Sequence, residues 1–220
     1  PDEIDLANSR FPDNPYELAK AIPEVVHRYF AATLGFFILS IAAVINLDRS
    51  YKANIKTLSA VVLIWVLIQG AFGYLTVSLK LWPQIVSLHL LFGFITTTLL
   101  WLLYFKLVDQ DVGSMHRWRF SKKLKSLISF ASVLVLVQIF LGAWTSTNYA
   151  AFSCTDFPLC QGKIFPNMNF LGGFNFFQSI GPNYLGGQMD LESRTAIHFT
   201  HRIGALGVTL FVSLLAWEIY

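Results

Sequence analysis

Five stretches of apolar residues, each about as long as a membrane is thick, alternate with polar connections along the chain: roughly 25–47, 57–79, 84–105, 124–147 and 196–220. Crossing a hydrocarbon core of about 30 Å takes about 20 such residues. A bilayer offers no water to backbone N–H and C=O groups, so each stretch is expected to be helical. Polar punctuation separates them. Asp48-Arg49 closes the first, Lys80 and Pro83 lie between the second and third, and a polar segment from Lys106 to Lys125 follows the third. A long Gly/Asn-rich connection then precedes the fifth, which begins after Arg194. The pattern predicts an all-α polytopic membrane protein: an outer segment 1–24, three spans within 25–105, a basic loop 106–123, and a second group of spans from 124 to 220 that includes the loop 148–195.

Composition strengthens this reading. Of 220 residues, 55% are hydrophobic and 13% charged, and the mean hydropathy is +0.54. The charged share is about half that of a soluble chain, too little to cover a soluble surface. Disordered, collagen-like, coiled-coil and small disulfide-scaffold classes are excluded, no nucleic-acid partner is expected, and the lipid bilayer is the first partner implied. The chain opens at Pro1 and closes within an apolar run, so it reads as part of something longer.

Charge placement sets orientation. Arg49, Lys52 and Lys56 crowd one connection; Lys106, Arg117, Arg119, Lys122, Lys123 and Lys125 crowd another. The 148–195 loop holds only Lys163 and Arg194, and residues 1–24 carry Asp2, Glu3, Asp5, Asp13, Glu17 and Glu24. The basic connections are expected on the cytoplasmic side, with the head, the 80–83 turn and the long loop outside. That loop contains Cys154 and Cys160, with Pro158 between them. On an oxidising outer face a disulfide can persist; two free thiols are the alternative. A zinc site is disfavoured, because no second Cys or His pair sits nearby.

Ionisable groups inside spans cost about 2.5–3.5 kcal/mol at mid-bilayer on the insertion scale and need a reason. His27 lies just inside the first span, and His89 stands six residues beyond Pro83, about 9 Å of helical rise. His198 and His201 stand four and seven residues beyond Arg194. Alternating span directions put all four at comparable depth below the outer surface. Imidazoles facing each other from different helices supply the axial ligation of membrane b-type cytochromes; the plainer role is a hydrogen-bonded packing residue. His116, in the basic loop, is expected to be solvated. Glu24 shares a helical face with His27, and Arg28 lies one turn beyond Glu24. Glu24 is therefore either an acid beside a reacting centre or one half of an interfacial ion pair.

Two internal echoes stand out. His27-Arg28 returns as His201-Arg202, and Gln69-x3-Gly73-x2-Thr76 returns as Gln138-x3-Gly142-x2-Thr145. Small residues there let helices approach closely, and duplicated four-helix halves explain the repeat. On that scheme 25–47 corresponds to 196–220, further spans lie before Pro1 and after Tyr220, and the whole has eight helices in two four-helix bundles.

In combination these residues resemble heme A synthases. The resemblance rests on Glu24-Val-Val-His-Arg28, Leu88-His89-Leu90, Gln138-Ile-Phe-Leu-Gly-Ala-Trp-Thr-Ser-Thr-Asn-Tyr-Ala, Cys154-Thr-Asp-Phe-Pro-Leu-Cys160-Gln-Gly and Ile197-His-Phe-Thr-His-Arg202. It covers almost the whole chain and is closest to the cysteine-containing bacterial branch. It implies an oxidoreductase of the bacterial inner membrane that converts heme O, its substrate, to heme A by oxidising the C8 methyl to a formyl group for terminal oxidases. By motif, His27 and His89 become axial iron ligands of the substrate heme, with Glu24 the catalytic acidic residue. His201 becomes one ligand of a heme b cofactor whose second ligand lies beyond Tyr220. Arg28 and Arg202 fall at the cofactor sites, Cys154 and Cys160 form a disulfide in a periplasmic loop, and His198 is not an expected ligand. Heme O synthase upstream, an electron-transfer partner and a homo-oligomer are the partners compatible with this reading.

Two other classes share some features. A bis-His diheme cytochrome b carrying electrons from quinol needs the same histidines but gives no reason for the Cys loop or for Glu24. A transporter with proton-relay histidines predicts helices broken at mid-bilayer, whereas Pro23 and Pro83 sit at expected span boundaries. The prenyltransferase that makes heme O carries Asp-rich metal–diphosphate motifs that this sequence lacks.

Overall fold

A computed structural model describes residues 2–10, 12, 15–112, 121–181 and 188–219. Five helices in it are long and apolar enough to cross a membrane: α2 (Leu18–Leu47), α3 (Ala53–Ser78), α4 (Pro83–Val112), α5 (Lys122–Thr147) and α7 (Leu191–Ile219). Two shorter helices, α1 (Asp2–Arg10) and α6 (Phe170–Gly173), and a 3-10 turn at Ala150–Ser153 complete the described elements. No strand occurs among the described residues, apart from an isolated bridge between Cys160 and Lys163. The all-α polytopic reading stands. The expected solvation of His116, and the placement of Arg117 and Arg119, lie outside the described residues.

Helix ends depart from the apolar pattern, for reasons in the local chemistry. Lipid contact requires apolar residues, but a helix continues wherever its backbone is satisfied. α7 begins at Leu191, several residues before its apolar stretch, because Asp190 Oδ1 accepts the Ser193 N–H at 2.7 Å and caps the first turn. Ser121 caps α5 in the same way, its hydroxyl accepting from the Leu124 N–H at 3.1 Å. α2 begins at Leu18, so Pro23 lies inside the helix and not at its boundary. Pro23 deprives only the Ala19 carbonyl of a donor, in an exposed second turn. Pro83 stands at the first position of α4, where its missing N–H costs nothing.

The chain divides into two compact units, residues 1–71 with 93–115, and residues 72–92 with 116–220. In the first, Ile38 and Ile45 of α2, Ile55 and Val62 of α3, and Leu103 of α4 are buried together. Asn46 crosses from α2 to donate to the Ser59 hydroxyl of α3 at 2.9 Å. In the second unit the core is Trp144, Ala150 and Ile197, with Phe140, Phe174 and Met189 against it. Trp144 donates its indole N–H to the Gly173 carbonyl at 2.9 Å, which ties α6 to α5. α5 and α7 run antiparallel: Lys123 and Glu218 pair at 3.1 Å at one end, while Gln161 of the loop bonds Thr195 at 3.0 Å near the other. Along α7, Leu206, Leu210, Leu214 and Trp217 recur at near-turn spacing and are all well exposed. An outward apolar stripe of this kind suits a helix whose solvent is lipid.

The described residues of the connection before α7, 148–181 and 188–190, are tied to the helix ends of this second unit. Trp82, in the turn between α3 and α4, donates to the Gln178 carbonyl at 2.9 Å, and Gln84 Nε2 donates to the carbonyls of Phe176 and Gln178, both at 3.1 Å. Buried Asn148 accepts from Gln178 Nε2 at 3.1 Å.

Candidate functional site

Glycine prepares each of two histidines. On α3, a Cβ at Gly73 would lie 3.1 Å from His89 Cε1; on α5, a Cβ at Gly142 would lie 3.2 Å from His201 Cε1. Each imidazole therefore rests directly on the neighbouring backbone, and even alanine would press on its ring. The Gln-x3-Gly echo in the sequence marks these two cradles. Its physical content is two-helix hairpins, α3–α4 and α5–α7, each setting a histidine of the second helix on a glycine of the first. His201 is held further: Gln138 Nε2 lies 2.9 Å from its Nδ1 and donates to its carbonyl oxygen at 2.9 Å.

Metal chemistry follows from what accompanies these rings. Among the described residues no three His, Cys, Asp or Glu gather in a way that could hold a bare metal ion. His89 and His201 would suit a metal held mainly by its own macrocycle: their nitrogen-bearing edges face the glycines, with Nε2 3.8 Å from each position a Cβ would take, so the absent side chains leave space beside those nitrogens. The residues present thus fit a heme.

Glu24 and Arg28 form the i, i+4 ion pair, with side chains 53% and 59% exposed. His27 between them is exposed on α2. The structure brings Glu24 to Arg28, and among the described residues no hydrogen bond or ion pair reaches His27. His27 belongs to the first unit and His89 to the second.

The loop beside α7 is built around one carboxylate and one guanidinium. Cys154 and Cys160 are joined by a disulfide, with Cα atoms 4.7 Å apart. Just beyond it, Gln161 and Gly162 both have positive φ, 55° and 71°, in a two-residue turn closed by Cys160 N–H to Lys163 O at 2.9 Å. Asp156 stabilises that turn by accepting both N–H groups at 2.8 Å. Arg202 fills the loop from α7, donating Nη1 to the Asp156 and Leu159 carbonyls at 2.9 and 2.8 Å and Nη2 to the Cys154 carbonyl at 2.9 Å. Its Nε donates to His198 Nε2 at 3.2 Å, so His198 serves Arg202. The sequence reading missed this cage: Arg202 and Cys154 stand 48 residues apart with no periodicity to link them. The Asp-to-Gln-Gly spacing was the one visible hint.

The Gly162 N–H, seconded by that of Gln161 and the Arg202 charge, holds the Asp156 carboxyl below its ordinary value, against some desolvation. A carboxyl depressed in the folded state stabilises above the unfolded value and loses that contribution as pH falls through the folded one. Amide protection at Gln161 and Gly162 is therefore expected to hold above about pH 4 and to decline below 3.8. Asp156→Asn should lower that protection at neutral pH as well, and unchanged protection in this variant would contradict the assignment.

Comparison with known proteins decides the family. The cytochrome oxidase assembly protein model COX15-CtaA matches residues 2–220. The chain belongs to that family. Among curated relatives it is similar to heme A synthase of Shewanella oneidensis, 36% identical over 219 residues, covering 99% of this chain and 64% of that protein. It is also similar to the heme A synthases of Symbiobacterium thermophilum (28% over 171 residues, 73% of this chain and 54% of that protein) and Alkalihalophilus pseudofirmus (26% over 171, 77% and 56%). The chain thus spans under two thirds of the length of these relatives. Family and helices together make it a multi-pass membrane protein.

Proposed function

We propose that this chain is the greater part of a heme A synthase, oxidising the C8 methyl of heme O to a formyl group. The observation that carries the reading is the pair of histidines set on glycine, His89 on Gly73 and His201 on Gly142. Each is suited to an axial bond, and the relatives to which the chain is similar are named heme A synthases.

In this reading His27 and His89 hold the iron of the substrate heme and Glu24 serves its periphery. His201 ligates a resident heme b, completed by a ligand from outside this chain. A bound heme b supplies one-electron exchange. Oxidation of the methyl group releases electrons, so an electron-transfer partner is required, and heme O synthase is the natural supplier of substrate. Arg28 and Arg202 flank the two ligand positions. The basic connections around Lys52 and Lys122 support an orientation with the 148–195 loop on the outer side, and a bacterial inner membrane with that loop periplasmic accords with its disulfide. The repeated hairpins support an eight-helix protein of two four-helix bundles.

The test is pigment extraction. The full-length protein is expressed in a host that makes heme O and lacks its own heme A synthase. Heme A in the extract is expected. Unconverted heme O beside an intact b-type spectrum would favour the quinol-linked cytochrome, and absence of any heme spectrum would favour the transporter.

A further inference from the structure

Gln138 occupies a position that the heme reading does not explain by itself. It projects from α5 across α7 into the notch at Gly204, where a Cβ would fall 2.3 Å from its Oε1. Its Nε2 reaches both Nδ1 and the carbonyl oxygen of His201, each at 2.9 Å. Its Oε1 is buried with no hydrogen-bond partner. Buried amide oxygens are rarely left so, because the desolvation is uncompensated. One acceptor thus lies idle on the amide that already touches the imidazole.

We propose that Gln138 is a positioning residue for His201, holding its ring for ligation through Nε2 and accepting its Nδ1 proton when the ring bonds iron. This rests on the reading of His201 as a heme ligand. An imidazole bonded through Nε2 carries its hydrogen on Nδ1, and whatever meets Nδ1 must accept it. A half-turn of the Gln138 amide exchanges its nitrogen and oxygen within the same volume and presents Oε1 to that proton. The His201 carbonyl gives up the amide donor but remains within the helical ladder of α7. Gly142 lies against the Cε1–Nε2 edge, where its missing Cβ leaves space beside Nε2, and Gly204 leaves room for the amide. Three residues on two helices therefore fix one imidazole. The matching Gln69-x3-Gly73 sequence on α3 shows the same spacing ahead of His89.

A hydrogen bond from Nδ1 makes an imidazole a stronger donor and favours the ferric iron it binds. Replacing the acceptor therefore moves the heme potential in a direction set by the replacement, which a merely structural role does not do. The experiment uses the full-length protein with its heme b, measuring midpoint potential and the low-spin spectrum in Gln138→Glu, Gln138→Leu and His201→Ala. Gln138→Glu offers a charged acceptor and is expected to shift the potential negative by the equivalent of about tenfold in the ferric-to-ferrous ratio, 59 mV for one electron. Gln138→Leu removes the acceptor and is expected to shift it positive; if that variant does not accumulate, Gln138→Met fills a similar volume with the same expected sign. Potentials equal to wild type, or moved in the same direction by both changes, overturn the proposal. His201→Ala separates the two levels of the reading: an unaltered low-spin spectrum there rejects His201 as ligand. An altered spectrum with unresponsive Gln138 variants rejects only the role of Gln138.

Discussion

Glu24→Gln in the full-length protein is expected to retain fold and heme b while losing conversion of heme O by about 10²-fold or more, the size typical of lost acid–base or electrostatic catalysis. Oxidising a porphyrin methyl develops positive charge at the ring edge, where a carboxylate stabilises it or accepts the released proton. Glutamine keeps the shape and removes both capacities. The structure makes this a clean test. Among the described residues Glu24 pairs only with Arg28, and both side chains are more than half exposed. A surface pair of that kind contributes about 0–1 kcal/mol, so the substitution should scarcely move stability. The two readings of Glu24 thus separate by readout: extraction measures conversion, and thermal unfolding measures the ion pair. Heme A at wild-type yield would remove Glu24 from the chemistry and leave it as an interfacial partner of Arg28.

The membrane architecture was legible because a single physical length governs it. Lipid thickness imposes about 20 apolar residues per span, and all five stretches became helices. Their ends were less legible, because hydropathy marks where lipid begins and not where a helix stops. Asp190 and Ser121 extend α7 and α5 by capping them, and α2 runs through Pro23. The Gln-x3-Gly echo was visible as a spacing. That its glycines underlie His89 and His201 was not, because a one-dimensional repeat does not say which helix of a pair carries the ring. The Cys154–Cys160 pair was apparent as a short loop, but the content of that loop was hidden. Three backbone carbonyls aimed at one guanidinium leave no trace in residue type, since every residue has a carbonyl.

That guanidinium yields the second large expectation. Arg202 sits beside His201 in sequence, which suggests a cofactor contact, yet its fork is occupied by the Cys154, Asp156 and Leu159 carbonyls and by His198, with the Phe157 ring 5.8 Å away. Arg202→Lys keeps the charge but replaces a planar fork with a single ammonium that cannot serve carbonyls in several directions. Bonds to charged donors contribute about 1.5–3 kcal/mol each, and carbonyls left without donors add to the loss. Local opening of residues 154–163 should therefore rise by about tenfold to a hundredfold, read as lost amide protection and faster proteolysis with the disulfide still closed. Replacing Cys154 and Cys160 with Ser removes a short cross-link, an effect of about 2–3 kcal/mol on the chain-entropy model. Because both changes loosen the same carbonyl cage, the triple variant should lose less than the sum of the two. Strict additivity would show that Arg202 and the disulfide act independently. Heme b lost from Arg202→Lys while the loop keeps its protection would return Arg202 to the cofactor.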